Sequence, residues 1–209
     1  MKEHFVITVG REYGSGGRAI AKLVAQKLNV PFYDKELLTL AAQKSGICQE
    51  IFEHNDEKTT VSDMLPVTAG TGFGAGVGLG LQMPMNQRVF LAQFEVITNL
   101  AKEQSCVIVG RCADYVLRNQ SGVDALNLFI HAPMEERIRR VREEYKVQAP
   151  DLRLYILKQD KNRAAYYEHF TDGQWGKAQN YHLAVSSGLG LETIVRLLTD
   201  LMRDRGLGA

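Results

Sequence analysis

Two spacings of apolar residues alternate along the chain and set out its elements. Short, continuous apolar runs appear at Phe5-Val-Ile-Thr-Val9, Cys106-Val-Ile-Val109, Ala125-Leu-Asn-Leu-Phe-Ile130 and Leu183–Ser186. Almost continuously apolar, with β-branched side chains prominent in the first two, they have the character of strands buried on both faces of a parallel sheet. Between them the period changes to that of a helix. Over about 17–28, Ile20, Leu23, Val24, Lys27 and Leu28 form one stripe, with Lys22 and Gln26 pointing away. Over 35–44, Leu37, Leu38 and Ala41 face inward, with Asp34 placed to cap the helix. Over 87–104 the stripe is Val89, Phe90, Phe94, Ile97 and Leu100. Further helices are expected from Met134 and over about 190–204. Residues 47–64 are weakly patterned and fit one or two short helices, and Phe32-Tyr33-Asp34 fits a very short strand or a turn.

Strands that alternate with helices predict an α/β fold, a three-layer α/β/α arrangement around a parallel sheet. In such folds ligands sit beyond the C-terminal ends of the strands. Gly10 to Gly17, Asp34, Gly110-Arg111 and His131 all fall at such ends, so one crevice is expected to gather them.

One stretch fits neither period. From Pro66 to Gly80 glycine stands at almost every second position, which makes ordering the backbone entropically costly. A flexible flap over the substrate side and a plain linker or oligomer contact are both compatible with it. A second phosphate loop is disfavoured, since no strand precedes the segment and no basic residue lies within it.

Composition narrows the class. The chain has 209 residues, 45% hydrophobic and 23% charged, with a net charge of +1, which gives no global sign of a nucleic-acid or membrane surface. Its three cysteines, Cys48, Cys106 and Cys112, match no metal-ligand spacing, and the odd count argues against a disulfide framework. Cys106 is expected to be a buried strand residue, and a reactive Cys112 lacks an obvious base. The first residues run straight into a strand without a leader-type apolar segment, so the cytoplasm is the expected compartment.

The chemistry concentrates after the first strand. Gly10-Arg-Glu-Tyr-Gly14-Ser-Gly-Gly17-Arg18 joins strand to helix, and glycines there let backbone N–H groups approach an anion at a helix N-terminus. The loop departs from G-x-x-x-x-G-K-[ST]: Gly17 stands in the lysine's place, and neither Arg18 nor Ala19 after it carries the expected hydroxyl. Gly10, Arg11, Glu12, Gly14, Ser15, Gly16, Gly17 and Arg18 are therefore the candidate phosphate-binding residues. Arg11 and Arg18 can reach phosphate bidentately. Glu12 is unusual beside an anion, and can either orient an arginine or hold magnesium through water. Gly110-Arg111 at a strand end suits a substrate phosphate, or is a turn with a surface arginine. Asp114 can contact a metal or cap a helix.

Asp160 and Arg163 lie on one helical face, either as an ordinary i,i+3 ion pair or as functional groups. Aromatic residues follow at Tyr166, Tyr167, Phe170, Trp175 and Tyr181, which can stack on a base or pack a lid segment. The arginines of the helix from Met134, Arg137, Arg139, Arg140 and Arg142, read mainly as a solvated face with Glu135, Glu136, Glu143 and Glu144 as partners. His131 and His169 read as structural, with no nucleophile and carboxylate in evident constellation.

The stretches Gly10–Arg18, Tyr33-Asp-Lys-Glu-Leu37, Val107-Ile-Val-Gly-Arg111, Phe129-Ile-His-Ala-Pro133 and Asp160-Lys-Asn-Arg163 with Tyr181-His-Leu resemble, in order, the cytidylate kinase-like family of nucleoside monophosphate kinases. The resemblance implies a P-loop NTPase fold in one domain. Residues 1–33 and 87–150 would be core, 34–86 an acceptor-side insertion, 151–182 a mobile lid and 183–209 the closing core strand and helix. It implies ATP and Mg2+, and transfer of the γ-phosphoryl group to a small acceptor, nominally a nucleoside monophosphate such as CMP. Asp34, Arg111 and Asp114 would bind the acceptor, and Arg18, Arg111, Asp160 and Arg163 would serve catalysis. Cys112 replaces the aspartate of the family's Gly-Arg-Asp, and Val109 an acidic residue. Arg11 or Arg18 would then supply the missing charge, and Ser15, Glu12 or Asp114 the magnesium contacts. A non-catalytic nucleotide-binding sensor is the rival reading, and a ligand-free oligomeric scaffold a third. Nucleic acid and membrane are not expected partners, whereas a homodimer through the 87–104 helix is compatible with the pattern.

Overall fold

The computed structural model describes residues 4–55 and 83–205. The glycine-rich 66–80 stretch, and with it the choice between flap and linker, lies outside them. A five-stranded, wholly parallel sheet forms the centre, built from β1 (Phe5–Arg11), β2 (Phe32–Tyr33), β3 (Cys106–Val109), β4 (Asp124–His131) and β5 (Leu183–Ser186). The spatial order is β2-β3-β1-β4-β5. The first strand is thus central, flanked by β3 with Val6 opposite Cys106 and by β4 with Val6 opposite Ala125.

Alternation along β1 divides the core between two helical layers. Phe5, Ile7 and Val9 face α1 (Gly17–Lys27) and α8 (Leu191–Asp204), packing with Ile20, Val24, Ile194 and Leu198. Val6 faces α2 (Glu36–Ser45), α4 (Met85–Glu103) and α5 (Ala113–Leu117), with Leu37, Ile97, Ile108 and Val116 around it. The three-layer α/β/α architecture follows from apolar surface on both faces of the sheet. Its one polar rung is internally satisfied: the Thr8 hydroxyl donates to Asn127 Oδ1 at 2.8 Å.

Of the weakly patterned region, Gln49–Asn55 forms a short helix, α3. The helix expected over 87–104 occupies 85–103, with Pro84 just before its first turn. Two helices lie toward the C-terminal ends of the strands: α6 (Met134–Glu143) and α7 (Leu152–Phe170). Asp151 caps α7, its carboxylate accepting from the Leu154 N–H at 3.0 Å.

Candidate functional site

β1 runs two residues beyond its apolar pattern. Gly10 and Arg11 still pair with Phe129 and Ile130 of β4, so the turn proper begins at Glu12. Gly10 is a close-packing residue, since a Cβ there would lie 3.0 Å from the Phe129 ring. The turn itself needs glycine. Gly14 (φ +77°) and Gly16 (φ +81°) are left-handed, and Gly16 is the N-cap of α1. Gly17, where the standard loop carries lysine, has no room for any side chain: a Cβ would sit 2.7 Å from the Arg11 Cβ. Ser15 is fully buried, and its Oγ accepts from the Gly17 N–H at 3.3 Å.

A cavity of about 330 Å³ opens against this turn, reaching the start of α2 and the side of α7. Arg11, Arg18, Lys35 and Arg163 bring positive charge to its wall, and Glu12 and Asp34 are its acids. Tyr145, Gln159 and Asn162 complete the side toward α7. With the N-terminus of α1 at one end, the wall is built to receive an anion.

Asp34 joins the two sides of the crevice. It does not cap α2 with its side chain; the N-cap is Lys35, which makes no side-chain cap bond. The carboxylate instead accepts from Arg18 Nε at 2.5 Å and from Arg111 Nη1 at 3.0 Å. Burial raises the pKa of such a group, but here Arg111, Arg18 and Arg11 together outweigh it and hold the Asp34 carboxyl below its ordinary range. Arg18 is 56% exposed in its side chain and lies over Phe32, its Cζ 5.8 Å from the ring centroid.

Arg111 occupies a different position from the one a phosphate contact requires. It is 2% exposed and does not line the cavity. Gly110, Arg111 and Cys112 are three consecutive left-handed residues (φ +76°, +54° and +55°), and this turn returns the guanidinium to the sheet. There it also donates to the Val109 carbonyl at 2.9 Å. Two non-glycine residues in this region store about 1–2 kcal/mol each.

Two arginines of α6 lie behind the turn. Arg137 and Arg140, 4% exposed each, depart from the expected solvated face, whereas the exposed Arg139 keeps its i,i+4 partner Glu143 at 3.3 Å. Arg137 Nε donates to the Tyr13 carbonyl at 2.8 Å, and its other nitrogens pair with Glu12 (3.2 Å) and Asp160. Arg140 Nη1 donates to the Gly14 carbonyl at 2.6 Å. Asp160 is thus engaged behind the turn, also accepting from the Tyr13 N–H at 2.7 Å. Arg163 reaches the front, donating to the Arg11 carbonyl at 3.2 Å and lying over the Tyr13 ring. Burial, with Tyr155 beside it, raises the Tyr13 phenol above its ordinary range.

Asp114 is buried in the first turn of α5, where Tyr167 donates to it at 2.7 Å. Burial raises its carboxyl above the ordinary value despite that bond. The neighbouring aromatics pack on the protein itself: Phe90 stacks on Phe170 at 4.4 Å, and Phe129 meets both Trp175 and Tyr181.

Of the residues marked out by sequence, the cavity wall gathers Arg11, Glu12, Gly14, Gly16, Gly17, Arg18, Asp34 and Arg163. Gly10, Arg111 and Asp114 line a small space of about 20 Å³ behind it, and Ser15 and Asp160 lie under the turn. Lys35 and Asn162 lay within two of the family-like stretches without being given a role, and Tyr145 and Gln159 carried no motif in the sequence. Arg137 and Arg140 share a face by their i,i+3 spacing, but Arg139 and Arg142 have the same spacing, so the sequence does not single out the buried pair.

The expected magnesium donors do not form a site. Ser15 Oγ is taken by a backbone N–H, Glu12 accepts from the Ala132 N–H at 3.0 Å and pairs with Arg137, and Asp114 is held by Tyr167. Among the described residues no group of three or more His, Cys, Asp or Glu side chains could hold a metal ion. No helix among them is long and apolar enough to cross a membrane.

The family model described as the cytidylate kinase-like family matches residues 6–189. No curated protein matches the chain by sequence. Among solved structures, an uncharacterized protein from Eubacterium ventriosum is similar at 24% identity and a TM-score of 0.64, covering 94% of this chain and 99% of that one. Shikimate kinase from Bacteroides thetaiotaomicron is similar at 16% identity and 0.54, covering 95% and 98%. A gluconokinase from Sinorhizobium meliloti gives 16% and 0.51, covering 92% and 87%. At these identities the likeness is one of fold, that of the P-loop kinases.

Proposed function

We propose that this chain, which belongs to the cytidylate kinase-like family, is a phosphotransferase that moves the γ-phosphoryl group of ATP to a small acceptor held beside Asp34. The observation that carries the reading is the convergence, on one cavity of about 330 Å³, of a left-handed glycine turn, a helix N-terminus and the cations Arg11, Arg18, Lys35 and Arg163. Phosphoryl transfer needs little covalent help from the protein. It needs the two reactants aligned and the charge on the transferring group neutralised.

In this chain the turn and the α1 N-terminus hold the nucleotide phosphates. Arg18 and Arg163, both lining the cavity, neutralise the transferring group. Asp34, fixed by Arg111 from behind, orients both Arg18 and the acceptor. Asp160 acts through Arg137 and the Tyr13 backbone, and so positions the turn. The family's description makes a nucleoside monophosphate such as CMP the nominal acceptor. Among the described residues the expected donors Ser15, Glu12 and Asp114 form no magnesium site, so no step is assigned to the metal.

A second reading, a nucleotide-binding sensor without turnover, draws on the absent loop lysine and on Arg18 being already paired with Asp34. A thermal-shift panel of nucleotides and phosphorylated metabolites, followed by coupled ADP-release assays on the hits, separates the two. Acceptor-stimulated ADP release supports the transferase, stabilisation with no release the sensor, and absence of any shift neither.

A further inference from the structure

We propose that Arg140 supplies, from behind the glycine turn, the positive charge that the missing loop lysine would supply from in front. The inference rests on the anion-binding role given above to the turn, and concerns how that binding is powered.

The geometry distinguishes the two arginines of α6. Arg137 is more than offset by two carboxylates, Glu12 and Asp160, and so adds no net positive charge behind the turn. Arg140 is not balanced in this way. It is 4% exposed, and among the described residues its carboxylate partner is Glu144, 3.6 Å away and 53% exposed in its side chain. A half-exposed partner facing water screens a buried guanidinium weakly. The charge therefore acts mainly on what lies against it, and that is the turn. Nη1 bonds the Gly14 carbonyl at 2.6 Å, and the guanidinium carbon lies 3.2 Å from where a Gly16 Cβ would be.

Two consequences follow for an anion in the cavity. The Gly14 carbonyl is fixed on Arg140, which does not line the cavity, so that oxygen cannot swing forward to repel a phosphate. A cation also stands one backbone layer away from the anion, in surroundings where charge is poorly screened. Glycine at 16 and 17 makes this arrangement workable: side chains there would press on Arg140 and on Arg11. Arg140 touches no substrate in this account and is a positioning and electrostatic residue.

The test uses the full chain and tripolyphosphate as probe, with Kd measured by calorimetry across a series of salt concentrations. Arg140→Gln keeps a donor for the Gly14 carbonyl without the charge, and should weaken binding about tenfold and flatten its salt dependence. Arg140→Lys should stay within about threefold of the unmodified chain. Because Arg140→Gln can fail to fold, Glu144→Gln provides an arm on an exposed position: removing the counter-charge should tighten binding about two- to fivefold. Unchanged affinity in Arg140→Gln, equal loss in Arg140→Lys, or no tightening in Glu144→Gln would overturn the inference. If the unmodified chain binds no tripolyphosphate, the anion-site reading itself fails, and this inference with it.

Discussion

Arg111 Nη1 lies 3.0 Å from Asp34 Oδ1, and neither side chain is more than 7% exposed. The pair ties the end of β3 to the end of β2 and leaves the second Asp34 oxygen for Arg18. Removing one partner strands the other charge in the interior, at a cost of about 3–5 kcal/mol. Asp34→Ala should therefore lower Tm by about 10 °C, given some 2–4 °C per kcal/mol for a chain of this size. In a double-mutant cycle, Arg111→Leu should add far less to Asp34→Ala than it costs alone. Additive losses would show that the two groups are not coupled.

Arg18 behaves differently because its side chain is 56% exposed. Arg18→Ala should shift Tm by no more than about 2–4 °C. Its effect on phosphoryl transfer should be about 10²-fold or more, as for other preorganised groups aimed at developing charge. Steady-state kinetics beside a melting curve checks both. An unchanged rate would remove Arg18 from the mechanism.

Restoring the standard loop lysine should not help. A side chain at Gly17 meets the Arg11 Cβ at 2.7 Å, and overpacking of this kind costs about 1–3 kcal/mol. Gly17→Lys is expected to lose stability and gain no turnover, measured by melting and ADP release. A rise in turnover would mean that the loop is a degraded copy of the standard one.

Asp114 gives a pH signature. Its folded carboxyl titrates above the unfolded value, burial being the main cause. The folded state thus holds its proton more tightly, and a penalty grows as pH rises above the unfolded value of about 3.9, complete once pH passes the folded value. Asp34 has the opposite sign: its depressed carboxyl contributes stability that is complete above about pH 3.9 and is lost as pH falls through the folded value. Asp114→Asn keeps an acceptor for Tyr167 and removes the first effect. Denaturation from pH 3 to 8 should show the variant gaining relative stability with rising pH; parallel curves would exclude a buried, raised Asp114.

The fold was largely legible because strands buried on both faces leave unbroken apolar runs, as at Cys106–Val109, and the flanking helices leave apolar stripes, although Leu23 and Lys27 of the expected α1 stripe are exposed and Ala21 and Ala25 are buried beside Ile20 and Val24. The site was legible in part. The glycine turn and Asp34 stand out by residue type and by their place at strand ends. The left-handed turn at Arg111 and Cys112 does not, since no residue type marks it. Asp34 read locally as a helix cap; its true partner Arg111 is 77 residues away. Arg137 and Arg140 looked solvated because nearby glutamates offered partners, while the turn they support is more than 120 residues earlier in the chain.

Phosphorus NMR on the full chain with ATP and magnesium, run with CMP and then with a panel of hydroxyl and phosphate acceptors, tests the central claim most directly. The account predicts ADP and a phosphorylated acceptor in equal amounts, both lost in Arg18→Ala. ATP that binds and raises Tm but stays intact with every acceptor would contradict transfer and leave a nucleotide-binding sensor.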